Sequence, residues 1–232
     1  SKKIGTKCVE LHTGKFCRLV NENKMLPTIL VLPDCFTSLG GNQFVDSEIL
    51  GNWSSWLYQS LKPKIAESYP TNGKFALFGK SSGGYGAIHN AMRHPGEWNA
   101  IASHSGDVGF DILYRSDFAN AATQINRQNG LENFLDYVKQ CDRLGNDDFH
   151  ALMTCAMAAS YDSKGASGNS YGIRLPFNLE TCSVDESLWE NWLKFDPLES
   201  SEQSFSSLNS LDYLFIDCGN RDQYGIQYVH LD

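Results

Sequence analysis

The segment Phe75-Ala-Leu-Phe-Gly-Lys-Ser-Ser-Gly-Gly-Tyr-Gly-Ala87 restricts the fold of this chain more than any other stretch. An apolar, strand-like run enters the turn Gly79-Lys80-Ser81-Ser82-Gly83, and a helical pattern leaves it. This is G-x-S-x-G in a strand–turn–helix setting. A turn this tight strains the backbone of Ser81 and lifts its hydroxyl above the C-terminal edge of a sheet. Small residues at 79 and 83 keep the neighbouring chain clear of it. The N–H groups of the following helix point at the same spot, because the first turn of a helix has no internal acceptors for them. Ser81 is therefore a candidate nucleophile, and the Ser82 backbone N–H a candidate oxyanion donor. The plainer alternative is a glycine-rich turn without chemistry. A phosphate-binding loop, G-x-x-x-x-G-K-[ST], is rejected. It needs glycine at position 74, which is Lys74, and a strand occupies the interval.

Other apolar runs fit the same sheet. Thr28–Leu32, Ala100–Ser103 and Tyr213–Ile216 join Phe75–Phe78 as expected strands. None alternates cleanly, as expected of parallel strands covered on both faces. Helical patterns separate them. Trp53, Trp56, Leu57, Leu61 and Ile65 share one face, with Asn52 as N-cap and Pro63 as a kink. Gly86–Arg93 reads as a second helix, ending before Pro95. With 41% hydrophobic residues, the 232-residue chain can bury the core of one domain. The expected fold is α/β, a mainly parallel sheet flanked by helices, as a single domain over 1–232. Residues 106–210 break the strand–helix rhythm and read as a helical cap insertion. Within it, Leu131–Val138, Phe149–Met157 and Asp185–Phe195 are expected helices, the last turning Trp189, Trp192 and Leu193 inward. Residues 160–172 read as a loop, and Ser200–Ser210 as an exposed serine-rich stretch.

Charge and cysteine usage narrow the function classes. A net charge of −8 without a basic block disfavours a nucleic-acid partner. No apolar run approaches the ~18 residues of a membrane span. Seven cysteines, scattered and never in a C-x-x-C pair, argue against a disulfide framework and a zinc site. They fit a cytoplasmic chain with mostly buried free thiols, and no secretory signal is visible. No metal or other cofactor is implied.

A serine nucleophile needs a base, and the base needs a carboxylate. Leu214-Phe-Ile-Asp-Cys-Gly-Asn-Arg-Asp222 reads as a late strand followed by a loop. Asp222 is the candidate acid in the chain order Ser…Asp…His, with loop or helix capping as the equal alternative. Asp217 lies within the strand and is the weaker candidate. The histidine is the difficulty. His230 alone follows Asp222, too soon for the helix and strand that normally intervene. His89 and His94 lie on or just after the helix behind Ser81. His104 follows a strand, His150 opens a cap helix, and His12 sits near the N-terminus.

Several segments together resemble a known family. They are Pro33-Asp-Cys-Phe-Thr-Ser-Leu-Gly-Gly-Asn-Gln43, Gly79-Lys-Ser-Ser-Gly-Gly-Tyr-Gly-Ala87, His104-Ser-Gly-Asp107, Gly172-Ile-Arg-Leu-Pro-Phe177 and Asp217-Cys-Gly-Asn-Arg-Asp-Gln-Tyr224. They are similar to landmarks of the esterase family of the esterase D and S-formylglutathione hydrolase type. Feruloyl and enterochelin esterases and mycolyltransferases belong to the same group. The resemblance covers roughly Phe16 to Tyr228. It implies an α/β-hydrolase fold, hydrolysis of a small-molecule ester without a cofactor, Ser81 as nucleophile and Asp222 as triad acid. Two departures stand out. The family's His-Gly loop, source of a second oxyanion donor, is not recognisable here, and His12-Thr-Gly is too close to Pro27 to stand for it. The family also continues well past Asp222 to its triad histidine. The expectation is a fragment, incomplete at both ends and weakly active or inactive by itself. A hydrolase-fold protein that binds without catalysis, and acyl transfer to an alcohol, stay open as alternatives. Phe110, Tyr114, Phe118, Phe177 and Trp189 are candidate pocket walls, with core packing as the rival role. Phe36 and Leu39 are candidates for the pocket mouth.

Overall fold

A computed structural model describes residues 10–162, 169–199 and 202–229. The chain divides into two compact units, the residues up to Asp34 and those from Cys35 onward. Among the described residues, the first contains one helix, α1 (Glu10–Asn21), followed by chain without regular structure. The strand expected over Thr28–Leu32 does not form. A strand must satisfy its backbone N–H and C=O groups against a neighbour, and no described strand pairs with this segment. Leu26 and Leu32 are exposed instead.

In the second unit, a short antiparallel pair, β1 (Asp46–Ser47) with β2 (Gly51–Asn52), precedes the main sheet. That sheet is parallel, with β3 (Ala76–Lys80), β4 (Ala100–His104) and β5 (Tyr213–Asp217) in that spatial order. The remaining expected strands therefore form, with ends shifted by a residue or two. Lys80, His104 and Asp217 are register partners, so all three strands end level. The loops that follow them converge on one edge of the sheet.

Between β2 and β3, α2 (Trp53–Trp56), a π-helical turn over Leu57–Leu61 and α3 (Lys62–Ser68) follow without a break. Asn52 takes the N-cap position without a side-chain cap bond. The irregularity expected at Pro63 appears as the π turn just before it. Pro63 has no N–H to donate and its ring crowds the carbonyl one turn back, so a widened turn relieves it. α4 (Ser82–Arg93) packs on β3 and β4.

The connection from β4 to β5 holds α5 (Phe110–Leu113), α6 (Phe118–Arg127), α7 (Leu131–Gln140), α8 (Asn146–Tyr161), α9 (Glu186–Leu193) and α10 (Glu202–Leu208). α6 packs on α7 and α8, and α10 packs on α4. Asp185 caps α9, its carboxylate accepting from the N–H groups of Ser187 and Leu188. Trp189 and Trp192 are buried in an aromatic cluster with Tyr114, Phe118 and Tyr161. Phe110, Phe118, Phe177 and Trp189 are core residues. α10 occupies most of the stretch read as an exposed serine-rich segment, and Leu208 anchors it on the core.

Two further expectations change. The sheet was read as covered on both faces, yet Phe78 and Phe215, register neighbours through Ala102, are exposed together with Tyr213. The helices after β4 pack mainly on one another and on α4, which leaves that face open among the described residues. The thiols are also less buried than expected. Of the six described cysteines, Cys155 is buried, Cys17 exposed and the others half-buried. Cys141 and Cys218 lie just after α7 and β5, and Cys35 and Cys182 lie in loops. Cys8 lies outside the described residues. No helix among the described residues is long and apolar enough to cross a membrane.

The core makes one clear prediction about pH. His89 is buried between the rings of Tyr85 and Phe195. Burial, aided by the charges of Arg93 and His94, pushes its pKa down to about 3. A histidine held neutral in the fold contributes stability above its unfolded pKa of ~6.5, and that contribution is lost as pH falls toward 3. The whole shift corresponds to about 5 kcal/mol. Urea midpoints should fall through this window, and more shallowly in His89→Gln. Identical slopes for the two proteins would remove His89 from the account.

Candidate active site

The chain leaves β3 at Lys80 and turns at Ser81, whose backbone has φ 54° and ψ −125°. A positive φ is uncommon for a residue with a Cβ and costs about 1–3 kcal/mol. Two hydrogen bonds hold it there. The Ser81 N–H donates to the His104 carbonyl on β4 at 2.9 Å, and its own carbonyl accepts the Tyr85 N–H at 2.9 Å, which starts α4. Gly79 lets the turn close, since a Cβ there would lie 2.4 Å from the backbone carbon of Gly83. At Gly83 a Cβ would meet nothing within 4 Å. The demand for a small residue, read at both positions, thus applies sterically only at 79.

Ser81 itself is exposed. Ser82 is the first residue of α4, so its N–H lies in the turn where the helix supplies no acceptor. The Ser82 hydroxyl accepts from Gln43 Nε2 at 3.1 Å. Behind them lies a cavity of about 20 Å³, lined by Ser81, Ser82, Asp107, Leu113, Tyr114, Asp117, Met153, Met157 and Tyr224. It has room for about one water molecule. Of the wall candidates read from the sequence, Tyr114 is among these residues. Phe36 is exposed and Leu39 is in the core. A wider depression lies along α7, beside Asn133 and Tyr137, and none of the candidate site residues lines it.

Asp107 follows β4 and is only 3% exposed. The Tyr114 hydroxyl donates to its Oδ2 at 2.8 Å, and the Tyr161 hydroxyl lies 3.3 Å from that of Tyr114. Ser81 and Asp107 line the same cavity. Burial pushes Asp107 up to about 6; the bond from Tyr114 opposes this, and the charge of Asp222 adds to it.

Asp222 lies on the loop after β5, half-buried, with Oδ1 accepting the Tyr224 N–H at 2.9 Å. It orders its own turn, and its charge acts on Asp107 across the cavity that Tyr224 lines. Asp217 pairs with His104 instead, Oδ1 to Nδ1 at 2.7 Å between register partners. His94 Nε2 shares a hydrogen bond with Ser54 Oγ at 2.8 Å. His150 Nδ1 lies 3.4 Å from Asp117 Oδ2, and its ring is 5.9 Å from that of Tyr224. His230 and the side chain of His12 lie outside the described residues. Among the described residues, no three His, Cys, Asp or Glu side chains are grouped to hold a metal ion.

Sequence reasoning brought forward Ser81, Ser82 and Asp222; Ser81 and Ser82 line the cavity, and Asp222 sits on the loop of Tyr224, which also lines it. It passed over Asp107, although the segment His104-Ser-Gly-Asp107 was in view. The available signal was a carboxylate just past a strand end, on the strand beside the one that carries the serine.

A family model described as "Putative esterase" matches residues 47–225, a span that holds the whole cavity. Among solved structures, the chain is similar to a ferulic acid esterase at 16% identity and a TM-score of 0.40, over 93% of this chain and 72% of that one. A comparison with curated proteins returned no match.

Proposed function

We propose that this chain, which belongs to the "Putative esterase" family, is a serine hydrolase of carboxylic esters of the esterase D type. The observation that carries the reading is the backbone of Ser81. With φ 54° and ψ −125°, outside the left-handed helical well, it presents an exposed hydroxyl at the N-terminus of α4. In the reaction Ser81 Oγ attacks the ester carbonyl. The oxyanion that forms is held by the Ser82 N–H, in the positive field of the α4 N-terminus. The alcohol leaves, and water releases the acid from the acyl-enzyme. An alcohol in place of water would make the same step an acyl transfer. Asp222, in the order Ser…Asp…His, is the carboxylate that would orient a histidine such as His230. The cavity is too small to enclose an acyl group, so the ester would lie on the exposed side of Ser81.

The test is fluorophosphonate labelling of the folded chain, read by mass spectrometry of the Ser81 peptide. Labelling at Ser81 that disappears on heat denaturation is expected. A folded chain that stays unlabelled would remove the serine reading and leave a hydrolase-fold binding protein.

A further inference from the structure

Ser81 shares its cavity with a buried carboxylate that lacks a counter-charge. Asp107 is 3% exposed, and no ion pair joins it to a lysine, arginine or histidine among the described residues. The charge that acts on it, that of Asp222, is itself negative. A carboxylate taken out of water is costly unless a cation or several donors stabilise it. The Tyr114 hydroxyl supplies one donor, at 2.8 Å. We propose that the cavity beside Ser81 is a subsite for a primary ammonium group, so that the ester cleaved here carries an amino group on its acyl chain. The assignment of a substrate class rests on the serine reading above.

Size, lining and charge fit that group together. The cavity of about 20 Å³ has room for about one water molecule, and an ammonium head is of similar size with three N–H donors. Two carboxylates line it, Asp107 after β4 and Asp117 just before α6, the latter with Oδ2 3.4 Å from His150 Nδ1. Tyr114 and Tyr224 add aromatic rings, a second kind of group that attracts cations, and Leu113, Met153 and Met157 close the rest with apolar surface. A further acceptor lies at the same turn. Gln43 is 5% exposed and donates through Nε2 to the Ser82 hydroxyl at 3.1 Å, while its Oε1 is buried without a hydrogen-bond partner among the described residues. A buried acceptor in that state is rare and calls for a donor from outside.

The level ends of β3 and β4 carry serine and carboxylate to the same edge, Ser81 one step beyond Lys80 and Asp107 just past His104. The cavity takes the ammonium head alone, so the ester carbonyl stays on the exposed side of Ser81 and the short acyl chain bends inward. A trimethylammonium group is too large for the space, and an anionic acyl chain is repelled. The groups around Asp107 are Ser81 from the turn, Tyr85 from α4, Tyr114 and Asp117 from the segment around α5, Tyr161 from α8 and Asp222 from the loop after β5. Burial, with Asp222, raises Asp107 to about 6, so it is charged at neutral pH and loses its charge as pH falls through that value. An aliphatic ammonium stays charged throughout.

The experiment has two arms. The first is calorimetry of the folded chain with β-alaninamide and with butyramide, which differ by an ammonium in place of a methyl and need no chemistry from Ser81. β-Alaninamide should bind about 10- to 100-fold more tightly, and Asp107→Asn should bring the two together. The second arm compares kcat/KM for the p-nitrophenyl esters of β-alanine and butyric acid. Their ratio should be about 10–100 at neutral pH, fade as pH falls through about 6, and approach unity in Asp107→Asn. A merely structural role for Asp107 would lower both esters alike and leave the ratio unmoved, and that result would overturn the subsite. So would equal binding of the two amides by wild type, which decides the matter even where Asp107→Asn does not fold. A wild-type chain that binds β-alaninamide selectively, turns over neither ester and stays unlabelled by fluorophosphonate at Ser81 would overturn the serine reading while supporting the ammonium site.

Discussion

Ser81→Ala should lower ester turnover by about 10⁴-fold or more while leaving the melting temperature nearly unchanged. Ser81→Gly should be equally inactive and yet more stable than wild type. The two substitutions remove the same hydroxyl and differ in what they do to the backbone. Alanine keeps a Cβ, so the φ of 54° remains strained. Glycine adopts that conformation freely but gains freedom in the unfolded chain, which returns part of the benefit. The net gain should be about 1 kcal/mol, or roughly 2–4 °C for a chain of this size. A stabilised but inactive Ser81→Gly is the signature of strain kept for chemistry. Hydrolysis retained in Ser81→Ala would end the assignment of the nucleophile. A Ser81→Gly protein that melts below wild type would end the argument from strain.

Gly79→Ala should damage both fold and activity, whereas Gly83→Ala should damage neither. A Cβ at 79 would lie 2.4 Å from backbone of Gly83, and no side-chain movement relieves a clash with backbone. The turn must open, which should cost about 3 kcal/mol. It also displaces Ser81 from the first turn of α4, and a shift of about 1 Å can lower the rate some 10²-fold. At 83 a Cβ points into open space on the first turn of a helix, where alanine is the better helix former by up to about 1 kcal/mol. Thermal melts and Ser81 labelling of both variants check this. Equal damage from the two substitutions would mean that the close approach of residues 79 and 83 is not what shapes the turn.

The turn around Ser81 was legible because the close approach of Gly79 to Gly83 and the bond from Tyr85 N–H are local, although the bond to the His104 carbonyl comes from the neighbouring strand. The same holds for α9, where Asp185 and the spacing of Trp189 and Trp192 lie within three turns. β3, β4 and β5 could be read because each is a strand-length apolar run, even though β5 is exposed along its whole length. Thr28–Leu32 carries the same signal and forms no strand, because pairing depends on a neighbour and not on the run itself. The open face bearing Phe78 and Phe215, and the half-buried thiols, escaped for a related reason. They record where the helices after β4 packed, which no local pattern states.

In the site the division is similar. As candidates, Ser81 and the Ser82 N–H are read from adjacent residues, and Asp222 from its place after a late strand. Asp107 acquires its character from groups far away in the chain, Tyr114 and Tyr161 that enclose it and Asp222 that repels its charge. The pairing of His104 with Asp217 likewise needs the register of two parallel strands. A backbone turn is encoded largely by its own residues, so the candidate serine could be named from the sequence. Burial and proton affinity are properties of surroundings, so the character of Asp107 emerged only once distant segments had packed around it.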